Sequence, residues 1–306
     1  MRLVRSLQIC SNPLPPVALA IGNFDGLHLG HQALIRAALA RAPDLEPALM
    51  CFEPLPATLF RPEHPVPRLM SVHARLALCR QLGLQRVFMP RFDRRFAALS
   101  PEDFARQVVV GVAGARHLVV GQDFRFGARA AGDVEQLRVL GHALGFTVEV
   151  IAPVCQGGRK VSSTRIRGLL AEGDFEAAAR LLGRHYAIAG RVLHGQELGR
   201  RLGFPTINIR PPLPPALSGV FAVRVDGADL AAHPGVANLG CRPTVDGRRW
   251  LLEVHLFDYA GDLYGRRLAV EFVEYLRPEE KFDGLDSMKR QMTQDAERAR
   301  AILGAS

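Results

Sequence analysis

The sequence predicts a parallel α/β domain followed by a small antiparallel β-barrel domain with a C-terminal helix. Two features of the pattern carry that expectation. In the first part of the chain, short unbroken apolar runs alternate with helix-forming stretches, as strands buried on both faces of a parallel sheet do when crossover helices join them. From Tyr186 onward, short segments rich in valine, isoleucine and phenylalanine are separated by glycine and proline turns, the pattern of a small barrel. The texture changes near Gly183 and Arg184, which divides the chain into expected domains 1–183 and 184–306. With 306 residues and 48% hydrophobic content, the chain has enough apolar material for two cores.

In order, Pro13 to Pro16 lead into a first strand, Val17 to Ile21, which ends at Gly22. A glycine-bearing turn then opens a helix over Gln32 to Arg41, and Pro47 to Phe52 return as a second strand. Helices are expected over Ser71 to Leu82, Pro101 to Val110 and Asp133 to Leu144, each followed by a strand: Arg86 to Met89, His117 to Val120 and Thr147 to Ile151. Ser162 to Leu182 reads as one basic, then alanine-rich helix that stops at Gly183. Barrel strands are expected at Ala187 to Val192, Val220 to Val225, Trp250 to Phe257 and Arg267 to Tyr275, and a closing helix at Leu285 to Leu303. In an open parallel sheet, ligands sit beyond the carboxyl ends of the strands, so the first site is expected where Gly22 to His31 leaves strand one.

Composition excludes several classes. Nothing approaches the roughly 20 apolar residues of a bilayer span, and the first ten residues carry two arginines without a long apolar run, so neither export nor membrane insertion is expected. Five cysteines stand singly, without the paired spacing of a structural zinc site, as in a cytoplasmic protein with reduced, mostly buried thiols. The formal net charge of +9 suits nucleic acid, an anionic surface or polyphosphate substrates, and does not choose among them.

Two constellations carry chemistry. In the segment Gly22 to His31, Gly26 and Gly30 let backbone approach a phosphate, and the following helix start offers free N–H groups and a favourable dipole. His28 and His31 lie three apart, a spacing that can turn both imidazoles toward the negative charge gathering at a reacting phosphate. Later in the same domain Ser162 to Arg167 opens a helix with hydroxyls and guanidiniums, which suits a clamp on departing pyrophosphate. In the second domain a glycine-rich stretch from Gly195 through Gly199 to Gly203 precedes Pro205, Thr206, Ile207 and Asn208. Thr206 and Asn208 point the same way in an extended segment and offer hard oxygen ligands for Mg2+ with ATP. Glu253, an acid within an apolar strand, is placed either to take a proton from an alcohol or simply on the outer face of a barrel; alternation leaves both open.

The pattern GxFDGxHxGHxxL over Gly22 to Leu34, with Ser162 to Arg167, resembles the adenylyltransferase module of bacterial bifunctional riboflavin kinase/FMN adenylyltransferases, the FAD synthetases. The segments around Gly190 to Gly195, Leu202 to Asn208, Gly219 to Val223, Ala237 to Thr244, Glu253 and Leu276 to Phe282 resemble, in the same order, the riboflavin kinase module. The resemblance implies a Rossmann-like nucleotidyltransferase domain and a kinase barrel. It implies that Gly22, Phe24, Asp25, Gly26, His28, His31, Ser163, Thr164 and Arg165 surround ATP, with Asp123 facing its phosphates or their metal. In the kinase it assigns Gly195, Gly199, Gly203, Pro205, Thr206, Asn208 and Arg277 to ATP and flavin, Thr206 and Asn208 to magnesium, and Glu253 to activation of the ribityl hydroxyl. Ile207, where the family has alanine, and Cys241, where threonine is common, are departures.

The expected partners are therefore the small molecules riboflavin, FMN and ATP, with Mg2+ and no nucleic acid or membrane; a homo-oligomer is left open. A nucleotidyltransferase for another phosphorylated substrate fits the first half alone. A basic nucleic-acid-binding protein rests on charge alone, since the tyrosines and the tryptophan do not interleave with a basic stripe. A flavin-binding regulator with an inactive kinase fold is opposed by Thr206, Asn208 and Glu253 all being present.

Overall fold

The computed structural model describes residues 1–5, 15–63, 65–194, 203–211, 213–244 and 247–305. It forms two compact units, one of Met1–Val66 with Val72–Ser162, the other of Pro67–Ser71 with Ser163–Ser306.

The first unit holds a six-stranded sheet: β1 (Arg2–Val4), β2 (Val17–Ile21), β3 (Glu46–Met50), β4 (Arg86–Phe88), β5 (Ala115–Gly121) and β6 (Thr147–Ile151). All its pairings are parallel, in the order β1-β4-β3-β2-β5-β6. The arrangement is Rossmann-like. β2 is central, and its five residues are at most 1% exposed, which explains why it reads as an unbroken apolar run. The chain passes from β2 to β3 and β4 on one side and later to β5 and β6 on the other, so the switch point lies at the carboxyl ends of β2 and β5. The helices are α1 (Leu29–Leu39), α2 (Pro56–Phe60), α3 (Val72–Gln81), α4 (Arg94–Ala97), α5 (Pro101–Asp103) and α6 (Val134–Leu144). A hairpin of β7 (Cys155–Gln156) and β8 (Arg159–Lys160) follows. Three differences from the sequence expectation stand out. β1 is too short to show a period, α1 begins before Gln32, and the helix expected from Pro101 becomes π-helical over Phe104–Val112.

The second unit opens with α7 (Ser163–Ala171) and α8 (Phe175–Leu182), where one continuous helix is expected. Gly173 takes a positive φ of 78° and the Asp174 side chain accepts from the Ala177 N–H, so a left-handed residue ends one helix and a carboxylate caps the next. A closed six-stranded barrel follows, from β9 (Ala187–Leu193), β10 (Thr206–Ile209), β11 (Gly219–Gly227), β12 (Leu230–Thr244), β13 (Gly247–Leu256) and β14 (Arg267–Arg277), in the order β10-β13-β12-β11-β14-β9. Its pairings are antiparallel. Ile209, Leu239, Leu252, Val254 and Val270 are fully buried. The closing helix, α9 (Leu285–Leu303), sets Ala296, Ala299 and Leu303 against Val220, Ala222, Phe257 and Leu276. The cysteines are less uniformly buried than expected: Cys51 and Cys79 are buried, Cys155 is exposed and Cys241 half-buried. Among the described residues, no helix is long and apolar enough to cross a membrane.

Candidate functional sites on the sheet and on the barrel

The loop after β2 lies at the switch point of the sheet. Phe24 and Leu27 have positive φ angles of 50° and 44°, a conformation that ordinary residues adopt only when surroundings impose it. Both side chains are fully buried, and Asp25 between them is 1% exposed, so packing holds the loop in place. Gly26, at φ 85°, occupies a position that favours glycine. α1 begins at Leu29, which makes His28 its N-cap: the His31 backbone N–H donates to His28 Nδ1 at 3.3 Å. An Nδ1 that accepts carries no proton, so the ring of neutral His28 bears its proton on Nε2. The two imidazoles stack with centroids 3.7 Å apart and planes 14° from parallel. Gly30 leaves room for this, because a Cβ there would lie 3.2 Å from the His28 ring. His31 is held well below the usual histidine range, first by burial and then by the charges of His28 and Arg75. The His31 imidazole is therefore held neutral beside the helix start.

Asp123 follows β5 on the other side of the switch point and pairs with Lys160 of β8. The fold thus brings the segments of Gly22 to His31 and Gly121 to Gly127 to one end of the sheet. Ser163, Thr164 and Arg165 form the first turn of α7, in the second compact unit.

On the barrel, alternation settles where Glu253 points. Leu252 and Val254 are fully buried inside, so Glu253 faces outward, with Asn208 of β10 and Asn238 of β12 as its cross-strand partners. Thr206 pairs with His255 on the same face. That outer face is covered, not bare: a groove of about 240 Å³ is lined by Thr206, Glu253 and His255 on the barrel, by Phe204 and Phe282, and by Met288 and Met292 of α9. A second cavity of about 570 Å³ is lined by Pro205, Thr206, Asn208, Tyr259, Asp262 and Tyr264. Thr206 belongs to both. Glu253 Oε2 accepts from Arg242 Nη2 at 2.6 Å, and Arg242 also faces Glu279 at 3.7 Å. Burial works against the Arg242 cation, but its hydrogen bond to Glu253 and the two carboxylate charges outweigh it and raise its pKa. Asn238 Nδ2 donates to Glu279 at 3.1 Å, and a Cβ on Gly240 would collide with the Glu279 carboxylate. His255 is lowered by burial and donates from Nδ1 to the Pro205 carbonyl at 2.9 Å, which tethers the turn before Thr206. Arg277 lines the groove and forks onto Asp295 of α9, at 2.9 Å from Nε and 2.7 Å from Nη2. Gly203 takes φ 89°; Gly195 and Gly199 lie outside the described residues.

Residues 11–165 match the FAD synthetase family and residues 182–303 the riboflavin kinase family. A bifunctional riboflavin kinase/FMN adenylyltransferase from Escherichia coli strain K12 is 42% identical over 309 residues, spanning 99% of this chain and 98% of that protein. The chain belongs to the bifunctional riboflavin kinase/FMN adenylyltransferase family. Its likeness to a Pseudomonas fluorescens protein of the same description is 44% over 100% of this chain and 99% of the relative. A crystal structure described as a macrolide-efflux protein from Streptococcus pneumoniae superposes with a TM-score of 0.79 at 28% identity, over 98% of this chain and 99% of that one.

Within this bifunctional family member the departure at Ile207 leaves the Thr206 and Asn208 pair intact, because Ile207 pairs with Val254 one position out of phase. Phe204, Arg242, Glu279 and Phe282 fall inside the matching segments without a role assigned to them there, and His255, Met288 and Met292 carry no distinct signal in the sequence. They become visible only when the barrel closes and α9 crosses it.

Proposed function

We propose that the barrel phosphorylates riboflavin with Glu253 as general base, and that the sheet unit then adenylylates the resulting FMN with His28 and His31 on the ATP phosphates. The two-step synthesis of FAD is the activity of the family, and one observation carries the assignment on the barrel: Thr206 lines two cavities at once, one holding Glu253 and the other Asn208. The phenylalanine and methionine wall of the groove suits the flat flavin ring. The second cavity, on the Asn208 side, suits the phosphates of ATP. Thr206 and Asn208 present two hard oxygens from one strand face, a donor set that fits Mg2+. Bound there, the ion would supply charge neutralisation at the γ-phosphate. Glu253 takes the proton of the ribityl hydroxyl as its oxygen bonds to the γ-phosphorus and ADP leaves. On the sheet, a phosphate oxygen of FMN attacks the α-phosphorus of ATP and pyrophosphate leaves. His28 donates through Nε2 and His31 through its ring N–H, and Asp123 faces the phosphates. The reading places the protein in the cytoplasm, acting on small molecules alone.

A crossed experiment on the full chain tests this. Glu253→Gln should lose FMN formation by roughly 10²- to 10⁴-fold and still convert supplied FMN to FAD. His31→Ala should do the reverse, losing about 10²- to 10³-fold in adenylyl transfer with riboflavin phosphorylation kept. FMN turnover from riboflavin within a few-fold of the parent in Glu253→Gln would remove the general base from the scheme.

A further inference from the structure

α3 turns an arginine inward. Arg75 is 0% exposed and heads the largest fully buried side chains, beside Cys79 one turn along the same helix. An ionised group so placed is costly unless paired, and the pairing is partial. Nη2 lies 3.3 Å from Glu53 Oε2, and Cys51 and Asp25 contribute further attraction, while Nε and Nη1 have no hydrogen-bond partner among the described residues. Burial opposes the charge, but Cys51, Glu53 and Asp25 outweigh it and raise the pKa, so the guanidinium stays ionised. Polar atoms left unused inside a protein call for a reason beyond packing.

We propose that Arg75 is a positioning residue for adenylyl transfer, a buried fixed cation against the histidine loop that balances the Asp25 and Glu53 carboxylates and sets the charge around the His28–His31 stack. The inference rests on the reading that these histidines bear on the nucleotide phosphates. Its logic is electrostatic. His28 must keep Nδ1 unprotonated to cap α1, and a proton on His31, whose ring is stacked 3.7 Å away, would meet the like charge of the buried Arg75. His31 Nδ1 is itself buried without a hydrogen-bond partner among the described residues. The charged groups acting on His31 are His28 from the loop and Arg75 from α3; around Arg75 in turn lie Asp25 from the loop, Cys51 and Glu53 after β3, and Cys79 on α3. Arg75 is the permanent cation in that set, so it disfavours a proton on His31 at any working pH. Its loss would also leave two carboxylates to attract one.

The test uses the full chain with isotope-labelled histidine, following the His31 ring by NMR across pH, with FAD formation from supplied FMN and ATP measured in parallel. In Arg75→Gln the His31 midpoint should rise by about one pH unit or more, and adenylyl transfer should fall about tenfold or more. Arg75→Lys, which keeps the charge, should return the midpoint to the parental position and recover part of the rate. Riboflavin phosphorylation should stay at the parental value in both. An unmoved His31 midpoint in Arg75→Gln overturns the proposal, whether or not the rate falls, because packing alone would then account for any loss. Should Arg75→Gln not fold, Arg75→Lys decides: a parental midpoint supports the proposal, and a raised one despite the retained charge overturns it. His31→Ala with parental adenylyl transfer would instead sink the phosphate role of the histidines, a separate failure.

Discussion

Gly30 shows how a single missing side chain serves the site. Read in the sequence, it is a residue that lets backbone approach a phosphate; in the structure it also makes room for the ring of its neighbour, with a Cβ falling 3.2 Å from His28. The two demands on position 30 oppose each other. Alanine is the better helix former by about 1 kcal/mol, whereas the displaced His28 ring would lose its alignment with the His31 N–H. Gly30→Ala should therefore melt at or above the parental temperature while adenylyl transfer falls about tenfold. A thermal melt and an FAD-formation assay on one preparation check this, and parental turnover would show that the ring's placement is unimportant. At this scale the sequence made the histidine pair legible through its spacing between a strand and a helix. The roles of Arg242, His255 and Arg75 were not legible, because an arginine or histidine looks the same in sequence whether it faces solvent, a groove or a buried carboxylate.

Among the elements, α9 is tied to the barrel in part by one buried polar contact. Asp295 is 7% exposed and receives the Arg277 fork, which ties the end of β14 to the helix that walls the groove with Met288 and Met292. Removing Asp295 takes the fork from Arg277 and leaves it the Pro278 carbonyl and Glu280 at 3.9 Å, at a cost of about 1.5 to 3 kcal/mol. Asp295→Ala should destabilise the barrel by about that much, seen in denaturant unfolding, and weaken riboflavin binding in the folded fraction, with adenylyl transfer from supplied FMN unchanged. Unchanged riboflavin affinity would show that α9 keeps its place without the Arg277 fork. The helix itself was evident from its pattern over Leu285 to Leu303. That Arg277 anchors it was not, since the two residues are 18 positions apart and meet only through the fold.

For the molecule as a whole, the texture of the sequence changes at Gly183 and Arg184, while the compact units part between Ser162 and Ser163. The difference lies in α7 and α8: Phe175 sits 5.9 Å from Phe221 and 6.1 Å from Phe272, ring to ring, so this helical pair packs on the barrel although its alanine-rich pattern resembles the helices before it. We expect a fragment of residues 184–306 to make FMN, and to be less stable than one beginning at residue 163 by roughly 3 kcal/mol, the cost of stripping a buried phenylalanine. Chemical denaturation and kinase assays on both fragments test this. If neither folded fragment phosphorylates riboflavin, the modules are not independent.

The sequence by itself determined the two architectures, the strand that ends in the histidine loop and the order of motifs that place the chain in its family. These are properties of local pattern: apolar period, glycine turns, and residue types at fixed spacing, none of which needs distant contacts to be read. Only the tertiary structure decided that Glu253 faces a covered groove, that Thr206 stands between two cavities, and that Arg75 lies buried beside the histidine loop. Each of those facts depends on which strand or helix covers a given face, and that cover comes from residues far away in the chain, so no local window contains it.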